Sequence, residues 1–171
     1  MLNKAAGQLA AFPLDDALIH QPDMIPLSAV GREPVFFFGT LMDVRVLAFI
    51  LGRPVADDEL SPAILQGYRR MRARDAVYPV LVRDAQSTME GRLLWPQTAR
   101  DLVRINHFEE DEYIASQIEV SQAGETLSAW AYIGLDHMPA SDEVWSLERW
   151  AEIDLEAFLK RCEFWMQDSP L

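Results

Sequence analysis

The sequence predicts an α+β domain in which a closed or nearly closed, mostly antiparallel sheet carries a few helices on its outside. Three observations lead there. Short alternating or aromatic-rich runs outnumber helical stretches, which favours a wrapped sheet over a doubly wound parallel one. Two of those runs, 113–120 and 126–133, flank a turn at Gly124 and read as an antiparallel hairpin. The 171 residues, half of them hydrophobic, contain no internal repeat, low-complexity tract or linker, so one core is expected.

Residues 1–32 mix Ala, Pro, Asp and polar residues without a sustained period and are expected to form an N-terminal arm that packs loosely or covers a neighbour; residues 33–171 are expected to form the single domain. From Pro34, the run Val35-Phe36-Phe37-Phe38 has the length and aromatic content of a buried strand, and it ends at Gly39. Val44, Leu47, Ala48 and Leu51 then follow helical spacing, with Asp43 placed to cap the start and Gly52 and Pro54 to stop the end. Strands are expected near 64–72, 77–82 and 88–95, separated by polar, Gly or Pro punctuation. Leu102, Ile105 and Phe108 put a helix over 98–108, which the acidic cluster of residues 109–112 interrupts before the hairpin. Leu147, Ala151, Leu155, Phe158, Cys162 and Trp165 recur at near-helical intervals, so one long helix over about 142–166 is expected to close the core.

Composition narrows the function classes. Fifteen Lys and Arg against 27 Asp and Glu give a net charge of −12, which argues against nucleic acid as a partner. The densest basic run, 69–74, is broken by Met71 and Ala73 and reads as one strand face in water. Cys162 is the only cysteine, so no internal disulfide can form, and its apolar flanks favour a buried thiol. No window approaches the roughly 18 apolar residues of a membrane span, and no basic-then-apolar start marks a signal peptide. A cytoplasmic location without membrane contact is expected. His20, His107 and His137 are scattered, so no metal site is expected, and His107 reads as a solvated helix end. Nucleophile-elbow, Walker, dinucleotide and zinc-protease motifs are absent.

Two segments carry chemistry. Phe38-Gly39-Thr40-Leu41 joins a strand to a helix start, where a glycine lets the backbone approach a ligand and free amides can face a carboxylate. Far downstream, Phe108-Glu109-Glu110 precedes Tyr113 at the start of a strand. Between them stand Gly67-Tyr68, Tyr78-Pro79-Val80-Leu81 and Glu90-Gly91-Arg92-Leu93-Leu94. In this order the segments resemble the gamma-glutamylcyclotransferase-like family over about residues 34–133. Phe38 stands where the family usually has Tyr, Glu110 where it has Gly, and Ala115 where many members have Arg.

The resemblance implies a small mixed, mostly antiparallel β-barrel flanked by helices and an enzyme that needs no cofactor. It would release 5-oxoproline from a small gamma-glutamyl amine or peptide. It assigns Glu109 as general acid/base, with Glu110 as the alternative if the register slips by one. It places Phe38, Gly39, Thr40, Leu41, Tyr78 and Tyr113 against the substrate. An ordinary glutamate, with a pKa of about 4.3, is a weak base, so this role calls for burial or neighbouring negative charge. The alternative reading is a non-catalytic module that binds a small metabolite in the same pocket. A third is a homo-oligomer joined through a C-terminal stripe of Trp145, Trp150 and Trp165.

Overall fold

Strand β1, Val35–Phe37, is apolar on both faces because both faces are covered. Phe36 and Phe38 point into one apolar cluster with Leu65, Leu81, Met89, Leu93 and Ala131, whereas Val35 and Phe37 join a second one beneath the helices. The first is the interior of a barrel and the second is the layer between barrel and helices. The computed structural model describes residues 24–109, 113–134 and 139–169. Within them, five strands close the ring in the order β3-β1-β5-β4-β2, with β2 returning to β3, and a sixth strand extends it from β2. The fold is a closed five-stranded mixed barrel flanked by four helices, in agreement with the α+β barrel expected from sequence.

The longest pairing joins β2 (Leu60–Ala73) to β3 (Pro79–Leu94), running from Leu60 opposite Leu94 to Arg72 opposite Pro79. Sequence reading splits β3 into two strands at the polar residues 83–87. The strand is instead continuous. Its register against β2 shifts where Gly67, at φ +82°, faces this polar stretch, a bulge that sharpens the bend a barrel needs. There Asp84 accepts from the Ser87 hydroxyl at 2.8 Å and the Gln86 amide at 3.2 Å, a local turn inside the strand. Strands β4 (Tyr113–Gln122) and β5 (Glu125–Gly134) form the expected hairpin. Its two-residue turn has Ala123 at φ +49° and Gly124 at φ +85°, the pair of left-handed conformations that matches strand twist. The only parallel contact among the described strands sets β1 beside β5, Val35 opposite Trp130, and supplies the mixed character.

Helix α1, Val44–Leu51, and helix α2, Ala99–Phe108, stand where periodicity puts them, each with a side-chain cap, from Asp43 and Thr98. The C-terminal segment differs from the single helix expected. Residues Ala140–Val144 form β6, pairing with β2 at Met71 and Ala73; Ser146 caps α3 (Leu147–Ile153); and α4 (Leu155–Trp165) follows after a break at Asp154. Backbone pairing to the open edge of β2, with Trp145 N–H donating to the Arg70 carbonyl at 3.2 Å, overrides the helical spacing before Ser146. Trp145 and Trp150 are core residues, and Trp165 is partly exposed. Of the stretch expected to pack loosely, residues 1–23 lie outside the description, whereas Ile25 and Ala29 are fully buried in the helix-side core. No helix among the described residues is long and apolar enough to cross a membrane.

Candidate active site

The segment leaving β1 is held by its own backbone and by one arginine. A short 3-10 turn, Thr40–Met42, follows Gly39, and its first bond runs from the Met42 amide to the Gly39 carbonyl at 3.0 Å, so the Thr40 and Leu41 amides precede it. Gly39 sits at a close approach: a Cβ there would lie 3.0 Å from Pro79 Cγ. Asp43 accepts from the Arg45 amide at 2.9 Å and pairs with the Arg45 guanidinium at 2.6 Å. Burial pushes the Asp43 pKa upward, but those bonds outweigh it and hold the carboxyl below the ordinary value of 3.8. Arg70 on β2 donates to the Phe38 carbonyl at 3.0 Å and to the Glu90 carbonyl at 3.3 Å, with its guanidinium 5.2 Å from the centre of the Trp145 ring. Burial lowers its pKa, partly offset by Glu148 and Glu90.

Facing this loop is a wall of helix ends. Glu109 is the residue that terminates α2; its amide donates to the Ile105 carbonyl at 3.1 Å and its φ and ψ of −89° and 0° turn the chain out of the helix. The preceding Phe108 packs edge-on against Phe158 and Trp165 of α4, at 6.3 Å between centroids in both cases. His107 Nε2, half-buried at the end of α2, is hydrogen-bonded to the Trp165 carbonyl at 3.0 Å, so this imidazole also ties α2 to α4. Tyr132 of β5 donates to Asn106 Oδ1, and Asn106 Nδ2 donates to the Ile25 carbonyl at 2.9 Å, a buried chain from barrel to α2 to the N-terminal segment. Burial raises the Tyr132 pKa, and the charge of Glu109 raises it further.

Between the two walls lies a cavity of about 650 Å³, the size of a small-metabolite site. Phe38, Gly39, Thr40, Leu41, Tyr78, Glu109 and Tyr113 all line it, with Tyr78 and Tyr113 packed edge-on at 6.3 Å. Thus the loop and Glu109, about seventy residues apart in sequence, line one space. Glu110 lies outside the described residues. The cavity also takes in Arg72, His107, Tyr132 and Arg161, which sequence reading does not assign to it. The Arg69–Arg74 alternation misleads there. Arg70 and Arg72 leave the water face that their pattern implies, Arg70 for the Phe38 carbonyl and Arg72 for the cavity and the Ala76 carbonyl, 3.0 Å away. Closure of the barrel end by β6 and the 74–78 turn covers them, and strand periodicity carries no signal of it. Among the described residues no group of three or more His, Cys, Asp or Glu side chains could hold a metal ion.

A closed mixed barrel flanked by helices is the fold of the cyclotransferase-like barrels. The chain belongs to the family described as gamma-glutamyl cyclotransferase, AIG2-like, whose model matches residues 35–152. Among curated relatives, it is 27% identical to AIG2-like protein C of Arabidopsis thaliana over 148 residues, covering 85% of this chain and 84% of that one. It is 26% identical to AIG2-like protein D of the same plant over 146 residues, covering 83% and 94%. The fold is similar to the solution structure of the Arabidopsis thaliana protein At5g39720.1, with a TM-score of 0.55 at 20% identity over 86% of this chain and 100% of that one. It is likewise similar to that of At3g28950.1, with a TM-score of 0.56 at 22% identity over 79% and 82%.

Proposed function

We propose that this protein is a gamma-glutamyl cyclotransferase that releases 5-oxoproline from a small gamma-glutamyl amine or peptide, with Glu109 as the general acid/base. The observation that carries the reading is that Glu109 and the Gly39–Leu41 loop line one cavity. The substrate's α-amino nitrogen attacks its own γ-carbonyl carbon, forming the C–N bond of the five-membered ring, and the bond from that carbon to the departing nitrogen breaks. The protein therefore has to fold the ligand and move a proton, with no nucleophile of its own and no cofactor. Glu109 takes the proton from the attacking amine and returns it to the leaving nitrogen. The Thr40 and Leu41 amides face the substrate's α-carboxylate. The Tyr132 hydroxyl already donates to Asn106, which supports a positioning role for it near Glu109.

The test is 5-oxoproline release by the purified protein from a panel of gamma-glutamyl amines and dipeptides. Glu109→Gln is expected to cut kcat by about 10²–10⁴, the usual contribution of one positioned acid/base; turnover unaltered by that change sinks the assignment. Saturable binding with no turnover of any panel member supports the alternative of a metabolite-binding module on the same fold.

A further inference from the structure

The loop that lines one wall of the cavity is held from behind by a cation. Arg70 Nη1 donates to two carbonyls, Phe38 at 3.0 Å and Glu90 at 3.3 Å, where β1 and β3 part beyond the pairing of Phe37 with Arg92. Phe38 and Gly39 line the cavity, whereas Arg70 does not. The Phe38 carbonyl and the Gly39 N–H belong to one planar trans peptide and so point in opposite directions. With the carbonyl turned to Arg70, the Gly39 N–H is turned away from it. Trp145 fixes the arginine in turn. Its ring centre lies 5.2 Å from the guanidinium, its backbone N–H donates to the Arg70 carbonyl at 3.2 Å, and its indole Nε1 donates at 2.8 Å to the carbonyl of Val77, which also lines the cavity.

Burial disfavours the charge of Arg70 and lowers its pKa, so a neutral side chain of similar volume would fill this place at less cost. What the charge adds is polarisation. A guanidinium on a carbonyl strengthens the N–H of the same peptide as a donor, and the gain is largest when the acceptor is an anion. On the proposed reading, on which this inference rests, the Thr40 and Leu41 amides face the substrate's α-carboxylate. We infer that Arg70 is a positioning residue for that carboxylate: without touching the ligand, it orients and polarises the Phe38–Gly39 peptide so that the Gly39 N–H becomes a third donor to it.

The probes are 5-oxoproline, which keeps that carboxylate, and its neutral carboxamide, with affinities for the full chain measured by calorimetry. Arg70→Met is expected to weaken binding of the acid by about tenfold, the size of one charge-assisted hydrogen bond, while leaving the carboxamide nearly unchanged. Arg70→Lys, which keeps the charge, should restore part of the loss. Equal losses on both probes would mark Arg70 as a packing residue and overturn the inference, as would unaltered affinity for the acid. Should Arg70→Met not fold, Arg70→Lys and the Gly39 amide proton resonance decide. That resonance must move downfield when 5-oxoproline is added to the wild type, and by less in Arg70→Lys; a resonance that stays in place, or moves equally in both, overturns the inference. An Arg70-dependent preference for the acid with no turnover of any gamma-glutamyl compound leaves the Arg70 assignment standing while the cyclotransfer reading fails. Turnover without that preference does the reverse, and a wild type that binds neither probe overturns the assignment whatever the turnover.

Discussion

The two walls of the cavity are held by different physics. The loop wall, Phe38 to Asp43, is pinned by backbone bonds, by the Arg70 guanidinium on the Phe38 carbonyl and by a glycine pressed against Pro79. The helix wall depends on apolar contact: Trp150, Phe158, Trp165 and Phe108 pack edge-on at 5.2–6.3 Å, and Glu109, His107 and Arg161 sit on that cluster. Under the function proposed above, the contrast suits a site in which the loop side recognises the glutamyl group and the helix side moves a proton. Directional bonds place amides to fractions of an ångström, whereas a packed cluster can carry different polar tips without rebuilding its base.

The sharpest break of this contrast is Phe158→Ala. Phe158 is 2% exposed and touches three of the aromatic rings, so its truncation should cost about 3–5 kcal/mol in urea unfolding. It should also lower any Glu109-dependent activity, because α2 and α4 lose their common support. A loss under about 1 kcal/mol would show that the helix wall is held by something else.

Gly91→Ala tests the loop wall from behind. A Cβ on Gly91 would collide with the Phe36 ring and lie 2.6 Å from the Phe37 carbonyl oxygen, so β1 must shift. The expected cost is about 1–3 kcal/mol, with ligand affinity falling through the displaced loop while thermal unfolding remains cooperative.

The smallest effect is expected at Asp43, where Asp43→Ala removes the cap of α1 and should cost about 1 kcal/mol at neutral pH. Its carboxyl pKa is lower in the folded state than the ordinary 3.8. The contribution is therefore fully present above that value and is lost as pH falls through the lower folded-state value. Unfolding free energies of wild type and variant should converge below about pH 4; a constant difference down to pH 2 would show that the cap does not act through its charge.

Much of the site was legible because the chemistry lay in contiguous motifs. Phe38-Gly39-Thr40-Leu41 and Phe108-Glu109 each mark an element boundary, and such boundaries are set by local stereochemistry: a glycine at a close approach and a helix that stops before an acidic run. Arg70, Arg72 and Arg161 were not legible. Whether a strand or helix arginine points to water or into a cavity depends on what covers that face. For Arg70 the cover is Trp145, 75 residues away, and for Arg161 the neighbouring surface is the end of α2. The C-terminal helix failed for a related reason. Residues 140–144 are short enough that an unpaired β2 edge decides their state, and helical spacing farther along the tail cannot reveal that edge.

The sequence by itself determined the strand-rich class, helix α1 with its cap, helix α2, the β4–β5 hairpin and the family membership. All of these rest on contacts within a few residues or on motifs in a set order. Tertiary structure alone decided that the ring closes through β1 beside β5 and β2 beside β4, and that Glu109 shares a cavity with Gly39–Leu41. It also decided that two arginines enter that cavity. These are contacts between residues far apart in the chain, and only the summed burial of both core clusters selects them.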